Sequence, residues 1–255
     1  LMKIGIILCL AKYYHRISVE KVNTFSSILI ALVIIILPII LVLAQPDLGT
    51  SILIALSGLI ILWLGGVKIK YFIVSFITFL ISLPFVITLL EPYQKLRILT
   101  FLDPDRDPLG AGYQIIQSKI AIGSGGFFGK GFLNGTQSYL DFLPEKHTDF
   151  IFTLFSEEFG FLGSIGLIIL YTIIILRVIR IGTICRSSFA RLFCFGFAFA
   201  LFIYITVNLS MVLGLLPIVG SPLPIMSYGG SSMLATMIGF GIVMSAKVHN
   251  KQMIA

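Results

Sequence analysis

The 255-residue chain is 58% hydrophobic and only 11% charged, whereas a soluble globular domain carries about 25% charged residues. This composition excludes an ordinary soluble domain and predicts an integral membrane protein. The formal net charge of +7 falls in clusters between apolar runs, so we expect it to orient the protein in a membrane, and we expect no nucleic acid partner.

Six uncharged stretches are long enough to cross a bilayer as helices, for which roughly 20 apolar residues are needed. They fall in five uncharged runs, which are residues 22–46, 48–67, 71–90, 159–176 and 192–246. The run 192–246 holds two of the six stretches, separated by a proline-rich break. Residues 4–11 are the end of a further span, so we expect a natural N-terminal part to precede Leu1. The predicted fold is all-α, a polytopic transmembrane helical bundle, with residues 1–255 as a single membrane domain.

Lys and Arg cluster in alternate connections between these spans. The clusters are Lys12, Arg16 and Lys21; Lys68 and Lys70; Arg177, Arg180, Arg186 and Arg191; and Lys247 and Lys251. Because short basic loops stay on the cytoplasmic side of a membrane, we predict that these connections and the C-terminus are cytoplasmic. The large loop of residues 91–148, and the mouth of the span that follows it, are then extracytoplasmic.

The large loop contains polar motifs that fall short of known ligand signatures. "GSGGFFGKG" (123–131) fails the P-loop pattern at two positions, so we favour a turn-rich loop packed against another backbone, while its amides could still touch a pyrophosphate. "DPDRDP" (103–108) lacks the glycine and glutamate of a calcium loop. A solvated turn is favoured there, and a weak divalent-ion site stays open.

Arg97 fits an interfacial anchor and a phosphate clamp equally well. A short helix is predicted over Tyr113–Ile122, lying at the interface or re-entering.

Four ionisable residues directly precede an apolar run in "LPEKHTDFIF" (143–152): Glu145, Lys146, His147 and Asp149. Thr148 or Asp149 suits the N-cap of a helix that continues through Glu157 and Glu158. We give about half of the weight to the interpretation that Asp149 only caps this helix. Acids near the hydrocarbon boundary are costly and usually face a cavity or a partner. A partly desolvated carboxylate could also act as a general base. Both interpretations of Asp149 stay open.

Hydroxyl groups also open the last predicted span, in "PLPIMSYGGSS" (222–232). Close packing of helices through small residues explains Gly229 and Gly230 well. It explains Tyr228 less well, so Ser227 and Tyr228 are candidate site residues.

Several of these motifs, in this order, closely resemble the SEDS family of membrane proteins. The matching stretches are "AQPDLGTS" (44–51), "FLDPDRDPLGAGYQIIQSKIAIGSGG" (101–126), "PEKHTDFIF" (144–152), "EEFGFLG" (157–163) and "PLPIMSYGGSS" (222–232). The version "GKGFLNGTQSYLDFLPEKHTDF" resembles the elongation branch of that family rather than the division branch. The family has ten transmembrane helices, so this chain would hold the end of the fourth and all of the fifth to tenth.

The resemblance implies a peptidoglycan glycosyltransferase that polymerises lipid II into β-1,4 glycan at the outer leaflet of the bacterial cytoplasmic (inner) membrane during cell elongation. The family's essential aspartate corresponds to Asp149, which would act as the general base. The expected substrate-binding residues are Lys3, Arg97, Gln117, Lys119, Lys146, His147, Ser227 and Tyr228. Among them, the Lys and Arg side chains would neutralise the leaving pyrophosphate.

The expected partners are lipid II, the growing glycan, membrane lipid and a class B penicillin-binding protein as the transpeptidase. No cofactor is expected, although a divalent cation stays possible. The alternatives are a transporter of the lipid-linked precursor and a scaffold that only recruits the transpeptidase. The sequence lacks the internal repeat typical of many transporters, and a scaffold would leave Asp149 as a helix cap.

Overall fold

The computed structural model describes residues 2–45, 47–89, 91–107, 110–136 and 147–250. This part of the chain forms nine α-helices and two short 3-10 helices and contains no strand. The predicted all-α fold is therefore confirmed. The α-helices are α1 (Met2–Arg16), α2 (Phe25–Leu43), α3 (Leu48–Leu64), α4 (Ile69–Leu89), α5 (Pro92–Leu102), α6 (Ala111–Ser124), α7 (Ile151–Ile184), α8 (Ser188–Val212) and α9 (Gly230–Val248).

Four helices are long and apolar enough to cross a membrane, namely α2, α7, α8 and α9. Helix α3 and the apolar part of α4, Ile69–Phe85, are shorter. These six helices lie where the six spans were predicted. Their exposed side chains are largely Leu, Ile, Val and Phe, as lipid contact requires of a spanning helix.

The chain folds as two compact units, each built from segments that are distant in the sequence. The first unit comprises Leu1–Ser75, Thr172–Tyr204 and Gly230–Ala255. Its core includes the fully buried side chains of Ile7, Leu10, Ile61 and Phe193, because α1, α3 and α8 each turn an apolar face inward. The prediction of a single membrane domain over residues 1–255 stays a prediction.

The second unit comprises Phe76–Tyr171 and Ile205–Gly229. Between α5 and α6, the "DPDRDP" motif forms a 3-10 turn at Pro104–Arg106, which agrees with the favoured interpretation of the sequence. Arg106 pairs with Asp103 at 2.9 Å. The Asp107 carboxylate accepts a hydrogen bond from Ala111 N at 2.9 Å, so this turn fixes the start of α6.

Helix α7 is interrupted at Gly160, whose backbone angles are φ 66° and ψ −162°. Glycine adopts this region without the steric cost that other residues meet. The sequence analysis predicted a helix through Glu157 and Glu158 but missed the break that follows them. The glycine-rich segment of residues 125–131 packs against the break, and a Cβ added to Gly160 would collide with Gly129 N. The interpretation of this segment as a loop against another backbone is thereby confirmed.

Candidate functional site

The candidate site lies in the second unit, where the turn before α7 meets the end of α8 and the α8–α9 connection (residues 213–229). Three successive carbonyls of the turn each accept a hydrogen bond. The bonds run from Tyr228 N to His147 O at 2.9 Å, from Ser227 Oγ to Thr148 O at 2.6 Å and from Asn208 Nδ2 to Asp149 O at 2.8 Å. The main chain that carries Asp149 is therefore fixed by atoms from a distant part of the sequence.

Asn208 is the central polar side chain of this arrangement. It is fully buried, and its Nδ2 also donates to Ser221 O at 2.7 Å. One amide group thus joins Asp149, two positions before α7, to the middle of the α8–α9 connection. The sequence analysis missed Asn208, although an amide in the apolar run of a spanning helix is the kind of costly polar group that usually marks a functional or structural role.

Gly220 lies beside the carboxylate of Asp149. A Cβ added to Gly220 would lie 3.6 Å from Asp149 Oδ2, which is ordinary van der Waals contact. The backbone of Gly220 has φ 66°, a conformation that strains any residue with a side chain. Asp149 is only partly buried, so the residue lies at the edge of the packed core rather than inside it.

Further contacts hold the α8–α9 connection in place. Leu223 N donates to Ser227 Oγ at 2.7 Å, and Tyr171 OH donates to Pro224 O at 2.6 Å. Ile225 has φ 73°, a rare conformation for a β-branched residue that persists only where the surroundings enforce it.

These contacts change the interpretation of Ser227. It was predicted to bind substrate, but its side chain is buried and its hydroxyl both accepts and donates a bond within the protein. In this structure it holds the main chain together, and a substrate contact by Ser227 stays a prediction.

Two of the predicted basic residues lie along the same connection. The Arg97 Nη1 atom is 3.4 Å from Ile218 O, two positions from Gly220. The exposed side chain of Lys119 packs over Gly214. A Cβ added to Gly214 would collide with Lys119 Cε. The structure thus brings both cations to the segment that borders Asp149.

The other predicted site residues have more varied surroundings. His147 and Tyr228 are joined to each other by the backbone bond from Tyr228 N to His147 O, and both side chains are exposed. Gln117 is half-buried on α6. Lys3 belongs to the first unit, where its ammonium lies 4.1 Å from the centre of the Tyr204 ring. Lys146 lies outside the described residues.

A buried hydroxyl network joins α6 to α7 and α8. Ser118 Oγ lies 2.9 Å from Thr153 Oγ1 and donates to Val212 O at 2.7 Å. Both hydroxyl-bearing residues are fully buried. Neither residue was predicted, since an isolated Ser or Thr in an amphipathic stretch gives no signal of its partner.

Glu157 is fully buried in the first part of α7, and its carboxylate forms an ion pair with Lys130 at 2.7 Å. This agrees with the expectation that an acid near the hydrocarbon boundary faces a cavity or a partner. Among the described residues, no group of three or more His, Cys, Asp or Glu side chains is placed to hold a metal ion. The possibility of a divalent cation stays untested.

Comparison with known proteins places this arrangement in a family. A family model described as "Cell cycle protein", for FtsW, RodA and SpoVE, matches residues 1–252. The peptidoglycan glycosyltransferase MrdB of Escherichia coli K12 is 48% identical over 252 residues, which cover 98% of this chain and 68% of MrdB.

Two solved structures share the fold. A peptidoglycan synthase complex that coordinates polymerization and crosslinking contains a chain with a TM-score of 0.81 and 34% identity, covering 98% of this chain and 69% of that one. The rod shape determining protein RodA of Thermus thermophilus has a TM-score of 0.65 and 26% identity, covering 98% of this chain and 64% of RodA.

These matches confirm the predicted family, the membrane-helical fold and the predicted enzyme class. The family and the relatives indicate a multi-pass protein of the inner membrane. The chain therefore belongs to the FtsW/RodA/SpoVE family and is one of its peptidoglycan glycosyltransferases.

Proposed function

We propose that this enzyme polymerises lipid II and that Asp149 is its general base. The observation that carries the proposal is the set of three hydrogen bonds to the carbonyls of residues 147–149. They fix the main chain of Asp149, while the residue stays partly exposed with its carboxylate beside Gly220. A general base needs this combination, because it must be held in position and still reach a substrate hydroxyl.

The reaction requires one proton acceptor. The 4-hydroxyl of the acceptor sugar attacks the anomeric carbon of the donor, and a new C–O bond forms as the bond to the pyrophosphate oxygen breaks. Asp149 takes the hydroxyl proton. A direct displacement inverts the α-linked donor and gives the β-1,4 glycan.

The leaving pyrophosphate departs with its charge, so it needs cations rather than a protonating acid. Arg97 and Lys119 support this part of the proposal because both lie along the connection that borders Asp149. Arg97 can bind two phosphate oxygens at once through its planar guanidinium, whereas Lys119 acts as a point charge. Lys3 and Lys146 remain candidates from the sequence.

The membrane arrangement completes the proposal. Basic clusters favour a cytoplasmic C-terminus, with the residues around Asp149 facing outward. The lipid tail of the substrate can then stay in the bilayer while its headgroup reacts in water. The synthase complex among the related structures coordinates polymerization with crosslinking, which supports a class B penicillin-binding protein as the partner of this chain.

The decisive experiment compares the full-length wild-type enzyme with Asp149→Asn, each with its transpeptidase partner, in a lipid II polymerisation assay. Loss of a general base lowers the rate by about 10²–10⁴-fold, so glycan should nearly disappear. Asp105→Asn is the matched control, because it makes the same chemical change at an exposed residue of the same unit.

Folding and partner binding must be retained in Asp149→Asn, which can be checked by thermal unfolding and co-purification. Polymer formation at the wild-type rate would reduce Asp149 to a helix cap and would contradict the base assignment. Transport of lipid II without polymer by the wild-type enzyme would favour the transporter instead.

A further inference from the structure

The segment Gly125–Leu133, here called the glycine loop, carries four exposed apolar side chains. Phe127, Phe128, Phe132 and Leu133 have between 54% and 79% of their surface exposed. A contiguous exposed apolar patch of this kind marks a surface that contacts lipid or another protein. The catalytic proposal makes no use of these residues.

The apolar patch of the glycine loop continues onto the outer face of α7. The ring of Phe127 lies 5.8 Å from that of Phe161, and the ring of Phe132 lies 6.4 Å from that of Phe159. Phe161 and its neighbour Leu162 are themselves exposed. Because α7 is a candidate membrane span, the patch is an extension of a lipid-facing surface.

The position of the loop along α7 can be estimated from its charges. Arg177 is the first basic residue near one end of the span, and a span needs about 20 residues to cross the hydrocarbon core. Counting back from Arg177 places the opposite boundary near Glu157. At a rise of about 1.5 Å per residue, Phe161 and Leu162 then lie roughly 6–8 Å inside that boundary.

Non-helical backbone is tolerated at this depth only where the protein satisfies its polar groups. The glycine loop satisfies four of its backbone polar groups by pairing with α7 on both sides of the break at Gly160. The hydrogen bonds run from Lys130 N to Glu157 O at 3.0 Å, from Gly131 N to Glu158 O at 3.0 Å, from Phe161 N to Gly126 O at 2.9 Å and from Leu162 N to Phe127 O at 3.2 Å. The same bonds satisfy helix groups that the break would otherwise expose.

Lys130 is the only charged residue between positions 125 and 136. A lysine facing lipid is costly unless it is paired. Its ammonium lies 2.7 Å from the Glu157 carboxylate and donates to Thr136 Oγ1 at 2.8 Å. The side chain of Lys130 therefore points its charge toward the protein, and the outer surface of the loop keeps its aromatic character.

From these observations we propose that the glycine loop is seated in the bilayer, with Phe127, Phe128 and Phe132 in contact with lipid acyl chains. Bilayer lipid is the occupant of this surface because the surface is continuous with the lipid-facing side of α7. The backbone pairing with α7 and the ion pair of Lys130 lower the two costs that would otherwise keep such a loop in water.

The test places a single tryptophan at position 128 of the full-length protein, in a background with no other tryptophan, which includes Trp63→Phe. The exposed position of Phe128 makes Phe128→Trp compatible with the fold. The protein is reconstituted in vesicles of phosphatidylcholine with or without bromine atoms on the acyl chains, because bromine quenches tryptophan at short range.

Two matched variants calibrate the signal. Phe161→Trp reports a lipid-facing residue of α7, and Asp105→Trp reports an exposed residue of the acidic 3-10 turn. We expect Phe128→Trp to show blue-shifted emission and quenching close to that of Phe161→Trp. Quenching as weak as that of Asp105→Trp would overturn the proposal. Red-shifted emission would then place residue 128 in water, and blue-shifted emission would place it under a protein surface.

Discussion

The part of α7 before Gly160 is held at both of its ends, by two different means. At the end that carries Asp149, two side chains, Asn208 and Ser227, and one backbone amide bind successive carbonyls. At the other end the glycine loop pairs with α7 through four backbone bonds and one buried ion pair. At the first end Asp149 stays partly exposed, whereas at the second the fully buried carboxylate of Glu157 is paired with Lys130.

The difference follows from what each end must face. A reacting group needs precise placement with an open approach, and short bonds to the main chain provide placement without covering the side chain. A lipid-facing loop needs every backbone polar group satisfied, so it is built from backbone pairing and apolar side chains. Substitutions at the two ends should therefore have different effects on stability and on catalysis.

The largest loss of stability is expected from Lys130→Met. The change removes an ion-pair partner of the fully buried Glu157. Breaking a fully buried pair in this way costs about 3–5 kcal/mol, which is the upper limit here because the Lys130 side chain is 26% exposed. Thermal unfolding in detergent measures the loss. The double variant Lys130→Met/Glu157→Gln should recover part of it, because the buried charge is then gone as well. A single variant as stable as wild type would contradict the role of this pair.

A smaller loss of stability, with a larger effect on catalysis, is expected from Asn208→Leu. The carbonyls of Asp149 and Ser221 lose their common donor, at a total cost of about 2–4 kcal/mol. Because the main chain of Asp149 loses the hydrogen bond from Asn208, kcat for glycan synthesis should fall while KM changes little. Asn134→Leu is the control, since Asn134 is an exposed asparagine of the same unit. An unchanged kcat would contradict the role of Asn208 in positioning Asp149.

Gly220→Ala should have an intermediate effect. A side chain at φ 66° costs about 1–2 kcal/mol, while the 3.6 Å approach to Asp149 Oδ2 leaves room for a methyl group. We expect a lower unfolding temperature and reduced polymerisation. Gly230→Ala is the matched control, because an added Cβ there meets nothing within 4 Å, contrary to the close packing that the sequence suggested for Gly230. Equal behaviour of the two variants would show that the backbone of Gly220 is not strained by alanine.

The smallest effect is expected from Thr136→Val. The hydroxyl contributes one bond to Glu157 at 3.0 Å and accepts one from Lys130 at 2.8 Å, but Thr136 is exposed and water can replace it. The loss should be about 0.5–1.5 kcal/mol, with polymerisation close to wild type. A loss as large as that of Lys130→Met would mean that the hydroxyl, rather than the ion pair, holds this end.

The sequence predicted the parts of the fold that depend on local patterns. Uncharged runs located the six apolar helices, and the short amphipathic pattern at Tyr113–Ile122 lies inside α6, Ala111–Ser124. The motif around Asp149 and the one around Ser227 were each recognised from neighbouring residues. Their direct contact through Ser227 Oγ and Thr148 O could not be predicted, because 79 positions separate them.

The missed features depend on long-range contacts or on backbone geometry. Asn208 donates a hydrogen bond to the carbonyl of Asp149, which is 59 positions away. The residues next to Asn208 in the sequence give no indication of that partner. Gly160 lies in an apolar run where a glycine is usually tolerated within a helix, so only the glycine loop packed against it reveals the break. The two protein partners of the Ser227 hydroxyl could not be predicted from the sequence either, and its predicted substrate contact stays a prediction.

The three hydrogen bonds to residues 147–149 have a consequence for mutational tolerance. Their acceptors are carbonyl groups, which every amino acid supplies, whereas two of their donors are particular side chains. Positions 147 and 148 can therefore accept many replacements without losing these bonds, while positions 208 and 227 cannot. In a saturation library sorted by thermal stability, positions 147 and 148 should therefore vary more freely than positions 208 and 227.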